Sequence, residues 1–105
     1  MIFDLRIYTL HPGRLPAWLN MYEQYGHAIQ VKHCGEPVFY STTEVGTLNQ
    51  VVHVWQYKSR ADHEKRRNAL MKDPAFKEYL RRSAEMGAHL TQESRLLKST
   101  SFSPL

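Results

Sequence analysis

With 105 residues, 42% of them hydrophobic and 23% charged, the chain has room for one hydrophobic core but not two, and its composition excludes disorder. A single domain over residues 1–105 is expected, with 98–105 as a C-terminal tail. The net charge of +4 raises nucleic acid as a partner. However, Lys65, Arg66, Arg67, Lys72, Lys77, Arg81 and Arg82 are interspersed with acidic residues along helical segments, which is the pattern of a solvated helix face, so nucleic acid is not expected.

No apolar run approaches the roughly 20 residues that span a bilayer. The strand pattern starts at Ile2 with no basic leader or apolar h-region before it, so no membrane span and a cytoplasmic location are expected. Cys34 is the only cysteine, which rules out an intrachain disulfide. Beside Gly35 at a helix end it reads as a small apolar residue rather than a reactive thiol.

Taken in chain order, Ile2 to Leu10 alternates as a strand, with Phe3, Leu5 and Ile7 on one face and Asp4, Arg6 and Tyr8 on the other. His11-Pro12-Gly13 breaks it. Leu15, Trp18, Leu19, Tyr22 and Ile29 then recur at helical spacing until His33-Cys34-Gly35, which predicts one first helix. Val38 to Thr43 is a second strand, joined through a Glu44 to Thr47 turn to a third, Val51 to Tyr57, rich in β-branched and aromatic residues. Ser59 caps a second helical region with Asp62 in its first turn, and Asp73-Pro74 restarts it. His89 to Leu97 can extend as a fourth strand.

The order β-α-β-β-α-β is that of a ferredoxin-like α+β protomer, with both helical regions on one face of an antiparallel sheet. Placing Phe3, Leu5 and Ile7 beneath the helices leaves an opposite face carrying Tyr8, Val51, Trp55 and Tyr57. A face of that kind is expected to be covered in a two-fold homodimer that encloses a cavity between two sheets.

The residues at this point resemble the NIPSNAP family of the dimeric α/β barrel superfamily. The resemblance covers nearly the whole chain: Leu5-Arg6-x-Tyr8 with Leu10 and Pro12-Gly13, the hairpin Glu44-x-Gly46-x-Leu48-Asn49-Gln50-Val51-Val52-His53-Val54-Trp55-x-Tyr57, Arg67 followed by Asp73-Pro74, and the ending Phe102-Ser103-Pro104. The hairpin is its most specific part. His63, where the family commonly has Arg, and Phe76, where it commonly has Trp, depart from the pattern. The resemblance implies a dimer of ferredoxin-like protomers forming a barrel and implies little chemistry.

The candidate ligand-binding residues are Arg6, Tyr8, Asn49, His53 and Trp55, since same-face neighbours on a strand are about 6.5 to 7 Å apart and can grip one small molecule. His53 is the best candidate acid, base or ligand. Its alternative is a structural histidine satisfied by Asn49, Tyr8 or a backbone carbonyl. Arg6 can clamp a carboxylate or phosphate, or form a buried ion pair with Asp4, Glu44 or Glu93. Trp55 and Tyr57 can wall a flat ligand or fill core and interface.

None of the six histidines has HExxH or HxH spacing, and none is marked as a haem ligand, so neither a metal nor a cofactor is expected. Three functions follow. The first is a homodimer that binds a small flat or anionic molecule. The second is a cofactor-independent oxygenase or isomerase, the chemistry that the superfamily resemblance implies. The third is a structural or interaction protein without turnover.

Overall fold

A computed structural model describes residues 1–105. The sequence patterns resolve into eight elements: β1 (Ile2–Leu10), α1 (Leu15–Tyr25), α2 (His27–Cys34), β2 (Phe39–Thr42), β3 (Gln50–Tyr57), α3 (Arg60–Lys72), α4 (Pro74–Met86) and β4 (His89–Lys98). The strands form one sheet in the order β2-β3-β1-β4 with every neighbouring pair antiparallel, the ferredoxin-like arrangement. β1 and β3 are the central strands and run in register from Ile2 opposite Tyr57 to Thr9 opposite Gln50. None of the helices is long and apolar enough to cross a membrane.

The helix boundaries follow from local chemistry. Ser59 Oγ accepts the Asp62 amide at 3.1 Å and starts α3, while the Asp73 carboxylate accepts the Ala75 amide at 2.9 Å and starts α4 with Pro74 in its first turn. Gly87, at φ +62°, supplies the left-handed residue that ends α4. The single first helix expected from the sequence is instead two, broken at Gly26, which ends α1 and begins α2. Only glycine fits at that junction, since a Cβ at Gly26 would lie 2.9 Å from ring carbons of both Tyr22 and Tyr79.

The assignment of the sheet faces has to be corrected. Residues paired across antiparallel strands share a face, so Asp4, Arg6 and Tyr8 lie with Trp55, His53 and Val51. Val51, Trp55 and Tyr57 belong to the buried cluster that contains Trp18, Met21 and Tyr22 of α1, Leu70 of α3, and Phe76 and Tyr79 of α4. The odd-numbered side chains of β3 are therefore beneath the protomer's own helices rather than between two sheets. Aromatic bulk decides this: Tyr8 meets Trp18 of α1, Trp55 joins the same cluster, and Tyr57 meets His63 of α3, rings that reach helix side chains farther than Leu5 and Ile7 would.

The opposite, helix-free face carries Phe3, Leu5, Ile7, Val52 and Val54, with Phe39 and Leu97 at its flanks exposed by 48% and 43%. These residues lie outside the helix-packed cluster.

Candidate functional site

Because the helix side of the sheet is tiled with rings instead of branched aliphatics, packing beneath the helices is incomplete and leaves a cavity of about 210 Å³. Its sheet wall comes from Arg6 and Tyr8 on β1, Tyr40 on β2, His53 on β3, and His89 and Gln92 on β4. Tyr22, Gln30, Arg67, Phe76 and Tyr79 are among the helical residues that close it. At an interior packing density of about 0.74, this space accommodates roughly ten to a dozen non-hydrogen atoms.

The rings form a continuous set. Tyr8 stands edge-on to His53 at 4.9 Å, to His89 at 5.0 Å and to Trp18 at 5.9 Å. Tyr40 stacks on His53 at 4.4 Å and on Tyr22 at 5.0 Å. The Tyr22 hydroxyl donates to Gln30 Oε1 at 2.8 Å. Burial raises the phenols of Tyr22, Tyr40 and Tyr79 well above their usual values, so all three are uncharged at neutral pH.

The charge on Arg6 is locally compensated. Its Nε donates to both Asp4 carboxylate oxygens at 3.2 Å, and its Nη2 donates to one of them at 3.1 Å. His63 Nε2 and Ser94 Oγ each lie 3.1 Å from the same carboxylate, so Asp4, only 1% exposed, is gripped from two strands and one helix at once. Burial alone would raise the Asp4 carboxyl; the Arg6 charge and the hydrogen bonds from Arg6, His63 and Ser94 overcome it and hold it below its ordinary value. Burial likewise opposes the Arg6 charge, and the adjacent Tyr8 and Asp4 more than offset that. His63 thus keeps an Asp4 contact at the position where an Arg is common in the resembling family.

Arg67 is the second cation lining the cavity, and it takes part in none of the ion pairs of the protein. No Asp or Glu lines the cavity. The site is therefore electropositive through Arg67 once Arg6 and Asp4 are counted together.

His53 is 1% exposed, and its Nδ1 accepts the Trp55 indole N–H at 2.7 Å. Its partner is thus neither Asn49 nor Tyr8. Burial first, and then the Arg6 and Arg67 charges, push its imidazole down to about 3. His53 is consequently neutral in the physiological range and only a weak base, and with its Nδ1 lone pair taken by Trp55 what it offers is an N–H donor. Burial also lowers His89.

Of the residues proposed from sequence, Arg6, Tyr8 and His53 meet at the cavity. Trp55 lies behind His53 in the core, and Asn49 lies outside it, at φ +63° in the turn before β3, where its carbonyl accepts the Leu10 amide at 2.8 Å. The sequence reading missed Tyr40, Arg67, Tyr22, Tyr79, His89 and Gln92. Tyr40 was reachable, since it is the hairpin partner of His53 once register is known. Arg67 was not distinguishable from the other basic residues of α3.

Comparison with known proteins places this geometry. A family model described as NIPSNAP matches residues 3–104. The Drosophila melanogaster Protein NipSnap is 31% identical over 104 residues, which is 98% of this chain but 36% of that protein; the chain spans about a third of the length of the curated relatives it matches. The crystal structure of a NIPSNAP family protein with unknown function from Agrobacterium tumefaciens superposes with a TM-score of 0.89 at 36% identity, covering 100% of this chain and 93% of that one. An antibiotic biosynthesis monooxygenase superposes with a TM-score of 0.65 at 10% identity over 95% of this chain and 99% of that one, a likeness of fold alone.

Proposed function

The chain belongs to the NIPSNAP family, and from that premise we propose that it forms a homodimer through its helix-free sheet face and binds a small planar anion in the cavity of each protomer. The observation that carries the ligand reading is a cavity lined by Arg6 and Arg67, walled by tyrosine and phenylalanine rings, and free of carboxylates. Guanidinium donors match carboxylate geometry, and the rings supply flat apolar contact.

A thermal-shift screen of small aromatic carboxylates tests this reading. The expected result is stabilisation by one or more of them that is lost in Arg67→Gln, a variant that leaves the Asp4 and Arg6 pair intact. Hits unaffected by Arg67→Gln would overturn the assignment.

The dimer rests on the apolar row Phe3, Leu5, Ile7, Val52 and Val54, which no helix of the protomer packs against. Light scattering is expected to give twice the protomer mass for the wild-type chain and the protomer mass for Ile7→Lys. A stable wild-type monomer at micromolar concentration would overturn it.

A second reading, a cofactor-independent oxygenase or isomerase, draws on His89. Its ring edges Tyr8 in the cavity wall and makes no side-chain hydrogen bond, so its ring nitrogens are open to a substrate there. Turnover of a phenol, quinone or related ketone with a pH profile lost in His89→Ala would support catalysis. No turnover across such a panel would leave binding alone.

A further inference from the structure

The anion reading assigns a role to Arg67 and Arg6, but leaves two buried donors unused. His53 Nε2 and the Tyr40 hydroxyl have no hydrogen-bond partner, although both side chains form the cavity wall. Native interiors rarely leave such groups unpaired. Here both are at one corner, with the Tyr40 and His53 rings stacked at 4.4 Å and 21°.

The His53 donor is fixed in place. An indole nitrogen has a hydrogen to give and no lone pair to receive with, so the 2.7 Å bond from Trp55 Nε1 to His53 Nδ1 puts the imidazole proton on Nε2. A proton on Nδ1 as well would face the indole N–H directly. Arg6 is the cross-strand partner of His53 on the same sheet face, with Cβ atoms about 4.5 to 5.5 Å apart. Asp4 accepts from Nε and Nη2 of Arg6 and not from Nη1, while the Tyr8 hydroxyl also engages the guanidinium. The corner therefore sets neutral donors beside a guanidinium, a combination that suits a carboxylate with a second, uncharged acceptor oxygen better than one isolated carboxylate.

We propose that this corner selects planar acids with a second acceptor oxygen next to the carboxylate, the class of 2-oxo acids and their enols. The carboxylate lies between Arg6 and Arg67, and the 2-oxo oxygen receives hydrogen bonds from His53 and Tyr40. Both donor atoms are buried, so the oxygen reaches them by a shift of the Tyr40 side chain, the less buried of the two, that keeps its hydroxyl within reach. The assignment rests on the anion reading of the same cavity.

Phenylpyruvate and 3-phenylpropionate have the same skeleton and charge and differ by the oxygen on C2. Calorimetric titration of both into the wild-type protein is expected to show phenylpyruvate bound at least about ten-fold tighter, as for sites built to hydrogen-bond a ligand group. That preference is expected to fall several-fold in Tyr40→Phe and to vanish in His53→Leu. Tyr40→Phe removes only a hydroxyl without a well-formed hydrogen bond, its approach to the Tyr22 hydroxyl apart, so the test stays decisive even if His53→Leu does not fold. Equal wild-type affinity for the two acids, or a preference unchanged in Tyr40→Phe, would overturn this inference while leaving the anion cavity standing. Binding of neither acid would overturn the cavity reading beneath it as well.

Discussion

Phe3 and Asp4 are adjacent in the chain and both buried, yet they sit in opposite surroundings. Asp4 lies on the helix side, tied by Arg6, His63 and Ser94; Phe3 lies on the helix-free side among Leu5, Val54 and other aliphatic side chains. Apolar burial alone would have exchanged the two faces. The difference shows that the helix side holds polar groups in two ways. Some, like Asp4, are fully satisfied within the protomer. Others, His53 Nε2 and Tyr40 among them, are left open, and these border a cavity. Satisfied groups stabilise the fold, and open ones are available to a ligand.

The largest effect expected from breaking this contrast is at Asp4. In Asp4→Ala the Arg6 guanidinium is buried without its counter-charge, and denaturant unfolding should show a loss of about 3–5 kcal/mol. A loss below about 1 kcal/mol would mean that Arg6 finds water and that the helix side is not sealed.

Next comes the pH response. The folded His53 titrates at about 3 against an ordinary 6.5, so between those values the unfolded chain binds a proton that the folded one refuses, and stability falls as pH falls. At about 1.36 kcal/mol per pH unit, the loss on going from pH 7 to pH 4 is on the order of 3 kcal/mol. His53→Leu should flatten most of this limb, leaving the smaller contribution of His89, whose shift has the same sign. Asp4 acts lower: its folded value lies below 3.8, so its stabilisation is present above 3.8 and is lost as pH drops through the folded value.

Gly26→Ala should cost about 1–3 kcal/mol by pressing a methyl group into Tyr22 and Tyr79, and should weaken any cavity ligand because both rings line the site. The smallest effect is expected for Tyr40→Phe, where unfolding free energy should change by no more than about 1 kcal/mol in either direction, since the hydroxyl makes no well-formed hydrogen bond and only approaches that of Tyr22. A clear destabilisation there would show that Tyr40 belongs with the satisfied groups after all.

Strand order, the two-part second helical region and the Ser59 and Asp73 caps were legible in the sequence because each depends on local chemistry: alternation, a side-chain oxygen before free amides, a proline in a first turn. The choice of sheet face was not. In β1 the usual rule puts Phe3, Leu5 and Ile7 inward, and β3 gives no veto because Val52 and Val54 are as apolar as Val51. What decides the matter is volume complementarity with Trp18, Tyr22, Phe76 and Tyr79, which depends on elements far apart in the chain. The need for glycine at position 26 was hidden for the same reason, since one of the two rings pressed against it is Tyr79, 53 positions away. Arg6, Tyr8 and His53 were placed together correctly because cross-strand neighbours follow from register, whereas Arg67 reaches the cavity only through the packing of α3.

The bond between Trp55 and His53 also gives the protein an optical gauge. Its two tryptophans are both fully buried, but only Trp55 has its indole N–H hydrogen-bonded, while that of Trp18 has no partner. Anything that pulls His53 toward an incoming oxygen alters the polarity felt by one fluorophore and leaves the other as an internal reference. Emission from a Trp18→Phe protein therefore reports occupancy of the corner directly, with no label attached.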